Sequence, residues 1–300
     1  MKRLILSLAV AFAATAFAQV LDVESVTPLK LKGVGRSVVT GISPKGDYLL
    51  LSDAQLNGLA KYDLTTNRIE VISKARSAGL NVSVAPDGNS VAYREDTFKD
   101  GLRYTDVKVH SFANGSTKQL LNGARNVNGV SLQGNTAVMI ANGEAKKVAT
   151  AGKAAKSTAP VASIVNRQLM LSVNGKVKTL SPNGTDRSYL WPSVSPDGKH
   201  VCYFVAGTGC FVCDLNGKIV ARLGLLRAAK WLNNSTIVGM NDTDDGYVIT
   251  SSSIVAATLT GERQVLTDAG VIAMYPYPAA NGKVIVFSTD KEENYIINIK

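Results

Sequence analysis

The chain has 300 residues, 45% of them hydrophobic and 19% charged, with a formal net charge of +10. This is the composition of an ordinary globular protein with material for a large core, and its length admits one domain or two. Past the N-terminus no segment is apolar for long enough to cross a bilayer as a helix.

Residues 1–18 read MKRLILSLAVAFAATAFA. A basic start at Lys2 and Arg3, an apolar run and a small-x-small site at Ala16 to Ala18 spell a secretory signal peptide. The alternative is an uncleaved anchor. No Cys follows the run, which disfavours a lipid anchor. The mature chain is expected to begin near Gln19 and to be periplasmic or secreted.

From residue 41 onward one pattern recurs. GISPKGDYLLLSD (41–53), SVAPDGNSVAYRED (83–96) and WPSVSPDGKHVCYFV (191–205) each wedge a turn between apolar alternations. Pro presets φ at the first corner, Asp or Asn tolerates the next, and Gly takes the positive φ that closes the turn. Worn copies occupy residues 130–142, 230–242 and 277–290. Downstream of each lies a second hairpin pattern, often turned by a Gly pair such as Asn174-Gly175 or Asn216-Gly217. Each unit of about forty residues is therefore a four-stranded antiparallel sheet, with strands A to D from the inside out. A single sheet cannot bury both faces, so units must stack radially.

Six turns predict an all-β, six-bladed β-propeller over residues 19–300. The last unit stops at Lys300 after half a repeat. The segment VESVTPLKLKGV, residues 23–34, has strand character and is expected to supply the missing outer strand over residues 27–32, closing the last blade from the N-terminus. Seven blades or an open arc are the alternatives. Residues 143–163, rich in Ala and Lys, read as a basic insertion in blade three. It is expected to be a solvated loop or a contact for an acidic glycan, a membrane surface or an acidic protein.

The segment from Trp191 to Lys199 closely resembles the repeat of TolB-type six-bladed propellers, which also occurs in the propellers of the prolyl oligopeptidase group. The resemblance covers the mature chain and implies fold more firmly than function. TolB's preceding α/β domain finds no room here, and no Gly-x-Ser-x-Gly elbow marks a peptidase.

Chemistry is sparse in the sequence. His110 and His200 have no second ligand at metal spacing, so no metal and no cofactor are expected. The several metal-binding His of similar propeller lyases are missing. Residues 241–246 (NDTDDG) resemble a Ca²⁺ loop without its Glu and read as a solvated acidic turn. A tight turn at Gly207-Thr208 would set Cys202 opposite Cys213, where a disulfide could form; the other reading is three reduced core cysteines. Arg36, Arg76, Arg125, Arg187 and Arg227 each precede a strand A. Gathered at the channel mouth they would make an electropositive funnel for anions; otherwise they are solvated or paired loop charges.

The function expected is a non-enzymatic binding or scaffold propeller. Its D–A/B–C loop face would recognise an envelope protein or an anionic small molecule or glycan. The alternative is a glycan- or peptide-acting enzyme using carboxylates from Asp53, Asp96, Asp100, Asp242 and Asp290. No nucleic acid partner is expected, and the protein is expected to be a monomer.

Overall fold

The computed structural model describes residues 19–156 and 158–300, so the leader expected over residues 1–18 lies outside the described residues. The fold is an all-β propeller, and it has seven blades rather than six. Strand β1 (Val23–Pro28) comes first and belongs to the last blade. Blade one is β2 (Val38–Ile42), β3 (Tyr48–Ser52), β4 (Leu59–Asp63) and β5 (Ile69–Ser73). Blade two is β6 (Ser83–Val84), β7 (Ser90–Lys99), β8 (Leu102–Ser111) and β9 (Thr117–Ala124). Blades three and four have three strands each: β10 (Val127–Gln133), β11 (Thr136–Ala141), β12 (Glu144–Ala149), then β13 (Val161–Val165), β14 (Gln168–Val173), β15 (Lys176–Thr179). Blade five is β16 (Tyr189–Val194), β17 (His200–Val205), β18 (Gly209–Asp214) and β19 (Ile219–Gly224). Blade six is β20 (Arg227–Trp231), β21 (Thr236–Asp244), β22 (Ile249–Thr258) and β23 (Arg263–Val265). Blade seven is β24 (Ala273–Pro278), β25 (Val284–Thr289) and β26 (Asn294–Ile299), closed by β1.

The extra blade comes from the segment expected to be an insertion. Residues 143–163 hold β12 and the start of β13, not one long loop. The turn into β14 is Asn166-Arg167, both left-handed at φ 49° and 67°. This two-residue hairpin turn carries neither the Pro nor the Gly of the other units. The hairpin read as strands C and D of blade three is strands B and C of blade four.

The closing strand is confirmed in kind and displaced in sequence. β1 runs antiparallel to β26, with Val26 opposite Ile297 and Thr27 opposite Ile296. The strand occupies the first half of the expected segment 23–34 rather than residues 27–32, and beyond Pro28 the side chains of Leu29 and Leu31 pack between blades seven and one. The N–H groups of Val20 and Leu21 both donate to Gln264 Oε1 at 2.7 Å, fixing the segment to blade six.

The core lies between blades. Cys202, Phe204, Cys210 and Val212 of blade five pack on Trp231, Ile237 and Val255 of blade six. Tyr48 and Leu50 of blade one pack on Val91 and Tyr93 of blade two. Each such side chain contributes roughly 1.5–3 kcal/mol.

Of the two readings of the cysteines, the structure has the reduced one, and no Cys202–Cys213 disulfide is formed. The β17–β18 loop spans three residues, so Val205 pairs with Gly209, Cys202 with Val212 and Val201 with Cys213. A one-residue change of register sends a side chain to the other face of the sheet. Cys202 and Cys210 face blade six, with sulfurs 3.4 Å apart, while Cys213 faces the core shared with blade four. All three are free thiols.

Candidate ligand cavity on the ring axis

The inner strands begin on the face that carries the D–A and B–C loops. There the register of A against B slips by one residue in blades one, three, five, six and seven. At the slip in blades five, six and seven the backbone turns left-handed, at Trp191 (φ 46°), Ala228 (φ 50°) and Tyr275 (φ 52°). Few non-glycine residues adopt this conformation. The bulge turns backbone and side chain out of the ladder. Pro192 and Pro276 follow Trp191 and Tyr275, and the unpaired bulge tolerates a residue without an N–H.

These residues open on a cavity of about 410 Å³. Its walls come from the inner strands of blades one, five, six and seven, the segment before β6, and the B–C turns of blades one and seven. Elements of five blades meet in this way only around the ring axis. Trp191 and Tyr275 are 38% and 45% exposed, large rings presented to solvent rather than to the core. Tyr277 and Lys230 stand deeper, and Asp290 and Glu292 lie in the turn between β25 and β26. Beneath them Ser288 accepts from the Val39 N–H and donates to Asn294, which donates to the Ser37 carbonyl. This buried network locks blade seven to blade one.

Lys230 is the unusual group. Its ammonium lies 4.6 Å from the centre of the Tyr277 ring. Burial pushes its pKa down to about 8, and no neighbouring charge acts to restore it. Burial also raises the Tyr277 hydroxyl to about 12, so that group stays neutral throughout the range in which Lys230 titrates. The cavity therefore has a largely desolvated cation, aromatic walls and, in the B–C turn of blade seven, the carboxyl side chains of Asp290 and Glu292.

None of the five candidate arginines lines this cavity. Arg36 borders an open groove of about 450 Å³ on the flank of blade one, with Asp53, Lys74 and the exposed Ile69 and Val71. Arg76 lies 5.2 Å from the Phe98 ring and Arg125 5.2 Å from the Tyr104 ring. Arg187 is 3.8 Å from Asp186, both exposed. Arg227 is held at 2.6 Å by Asp242 and 3.5 Å by Asp244. The physical reason is offset: Arg227 immediately precedes the bulge residue Ala228, while Arg76 lies five residues before its counterpart Asn81. The long B–C hairpins of blades two and six then draw Arg76, Arg125 and Arg227 sideways.

The candidate acids also scatter. Asp290 reaches the axial cavity and Asp53 the flank groove. Asp96 is buried against Thr105 at 2.6 Å, Asp242 is buried on Arg227, and Asp100 sits at a hairpin tip with φ 53°. Asp244 and Asp245 accept the N–H groups of Gly246, Tyr247 and Val248 in their own turn. His110 bridges Glu70 and Thr117. Among the described residues, no three His, Cys, Asp or Glu side chains gather to hold a metal ion. No helix there is long and apolar enough to cross a membrane.

Sequence reasoning missed Lys230, Trp191 and Tyr275 as site residues. A signal was present: aromatic-Pro pairs at 191–192 and 275–276 hold the same place in two blades.

No protein-family model matches the chain, and no curated protein matches it in sequence. Solved structures do match. An oligogalacturonate lyase in complex with manganese aligns with a TM-score of 0.54 at 13% identity, covering 89% of this chain and 78% of that one. A putative TolB from Agrobacterium tumefaciens gives 0.56 at 14%, covering 87% and 88%. A chain of a mitotic checkpoint complex gives 0.61 at 10%, covering 99% and 98%. At these identities the likeness is one of fold.

Proposed function

We propose that this propeller is a binding protein whose recognition site is the axial cavity, and that its ligand is a sugar acid or an acidic glycan end. The observation that carries this is Lys230, a partly buried ammonium in the cavity wall with no carboxylate in ion-pair range among the described residues. A ligand carboxylate supplies the missing counter-charge in a low-dielectric site, where a charge-assisted hydrogen bond is strong. The rings of Trp191 and Tyr275 offer flat surfaces for a pyranose face, and Asp290 and Glu292 accept from its hydroxyls. This takes the place of the five-arginine funnel as the anion-binding element, on the same face of the ring.

The lyase among the structural neighbours suggests the probe, an oligogalacturonate. The chain has two tryptophans, and Trp231 is buried with its indole N–H on the Ser193 carbonyl. In a Trp231→Phe background, emission reports Trp191 alone. Saturable quenching by oligogalacturonate, lost in Lys230→Met, is the expected result. No quenching, or quenching untouched by Lys230→Met, overturns the reading. Release of unsaturated uronate product during the titration would replace a binding role with the enzymatic alternative.

A further inference from the structure

The positive charge of this protein is not spread around the ring. Residues 118–187 hold ten Lys and Arg against two Asp and Glu. Residues 19–117 hold twelve against eleven, and residues 188–300 nine against ten. The whole excess outside the leader thus sits on and beside blades three and four. These are also the two blades with three strands.

Several of these cations are engaged within the protein. Lys118 donates to the Ala149 and Thr150 carbonyls, and Lys147 to those of Ala155 and Lys156. Lys176 and Lys178 on β15 are exposed, and among the described residues neither has a carboxylate in ion-pair range.

The backbone of β15 adds a second, independent feature. Lys176 pairs with Val173 across the Asn174-Gly175 turn, and the Leu180 N–H donates to the Leu169 carbonyl. Antiparallel pairing alternates, so residues 176, 178 and 180 direct their N–H and C=O groups at β14. Val177 and Thr179 direct theirs outward, at the place where five other blades carry a fourth strand. The side chains of Lys176 and Lys178 share one face of this edge, two residues and about 7 Å apart.

We propose that β15 is a docking edge for an extended acidic segment of a partner protein. The segment adds as the fourth strand of blade four, bonding Val177 and Thr179 through its backbone, and places carboxylates at alternate positions against Lys176 and Lys178. Unpaired backbone favours a peptide over a linear polysaccharide, which would need the lysines alone. This site lies on the outer rim of the ring, apart from the axial cavity, and does not depend on it.

The probe is a short blocked peptide of alternating Glu and Thr, labelled for anisotropy and titrated into the full chain. Affinity is expected to fall by about tenfold or more when alternate peptide nitrogens are methylated, because the ladder is lost while the charge is kept. A similar loss is expected in Lys176→Glu/Lys178→Glu, and none in the control Lys45→Glu/Lys283→Glu on blades one and seven. Circular dichroism melts confirm that each variant is folded. No binding, equal binding of the methylated peptide, or tighter binding of polygalacturonate that Lys176→Glu/Lys178→Glu abolishes would each overturn the proposal. The first would leave the lysines as guards against edge pairing; the others would make the rim a charge-only surface.

Discussion

Lys230 and Tyr277 hold the same place on the inner strands of adjacent blades, each resuming the ladder after the bulge, with the ammonium 4.6 Å from the ring centre. A ring quadrupole is worth roughly 0.5–2 kcal/mol to a cation. It does not offset the loss of water, since the amine titrates near 8. The ammonium therefore costs the folded state stability at every pH below about 8. The cost is relieved between about 8 and the ordinary 10.5, where the folded chain has released its proton and the unfolded chain has not. Lys230→Met is expected to be more stable than the parent by about 1–3 kcal/mol at neutral pH. The difference should shrink as the pH approaches 10. Urea melts at the two pH values check this, and a variant less stable at both would contradict it.

Closure of the ring predicts a second outcome. Gln264 Oε1 takes two N–H groups from the N-terminal segment, and its Nε2 donates to the Leu21 carbonyl. Gln264→Ala should cost about 1–3 kcal/mol, since part-buried donors lose their acceptor. Removing residues 19–28 should cost more, because β26 then has an open edge. Thermal melts of the two variants should rank in that order.

The thiols should be chemically quiet. Burial pushes the Cys213 thiol up to about 12, and the contact with Cys210 together with burial raises Cys202 well above the ordinary range. Only a thiolate reacts readily. Intact mass should correspond to three free thiols, and a thiol reagent should label none until the chain is unfolded. A mass lower by two hydrogens would show a bridge that the present register does not form.

The Ser-Pro-Asp-Gly wedge of blade five makes a further prediction. Gly198 has φ 70°, and a Cβ there would stand 3.2 Å from the Pro160 ring. Lys199 beside it is exposed. Gly198→Val should lose roughly 1 kcal/mol or more beyond Lys199→Val. Equal losses in denaturant melts would remove the turn assignment.

The turn chemistry explains what could be read from the chain and what could not. Gly46, Gly88 and Gly198 all adopt φ between 70° and 78°, as their wedges required. Where the wedge was absent the reading failed. Asn166-Arg167 turns a hairpin without Pro or Gly, and an Ala/Lys-rich strand such as β12 has the composition of a loop. That hid one blade. The closing strand was displaced because the alternation of Leu29 and Leu31 looks like a strand but packs as a connection. The cavity was invisible for a different reason. Lys230, Trp191, Tyr275 and Asp290 come from three blades and share no motif; only the ring brings them together. The five arginines recur before the inner strands, yet differences in their offset from those strands leave none of them in the lining of the axial cavity.

The pH dependence of oligogalacturonate affinity tests the account most directly. Burial keeps the Tyr277 hydroxyl neutral up to about 12 and lets Lys230 release its proton near 8, so the loss of the Lys230 charge is the change expected in the cavity just above neutrality. An anion favours the ammonium. Affinity measured by calorimetry should therefore hold steady below about pH 8, fall as the pH rises through it, and be accompanied by proton uptake near that pH. Lys230→Arg, charged throughout, should bind with no such fall. Affinity that stays level to pH 10 in the parent chain, with no proton uptake, would contradict the assignment of Lys230 and the axial cavity as the binding site.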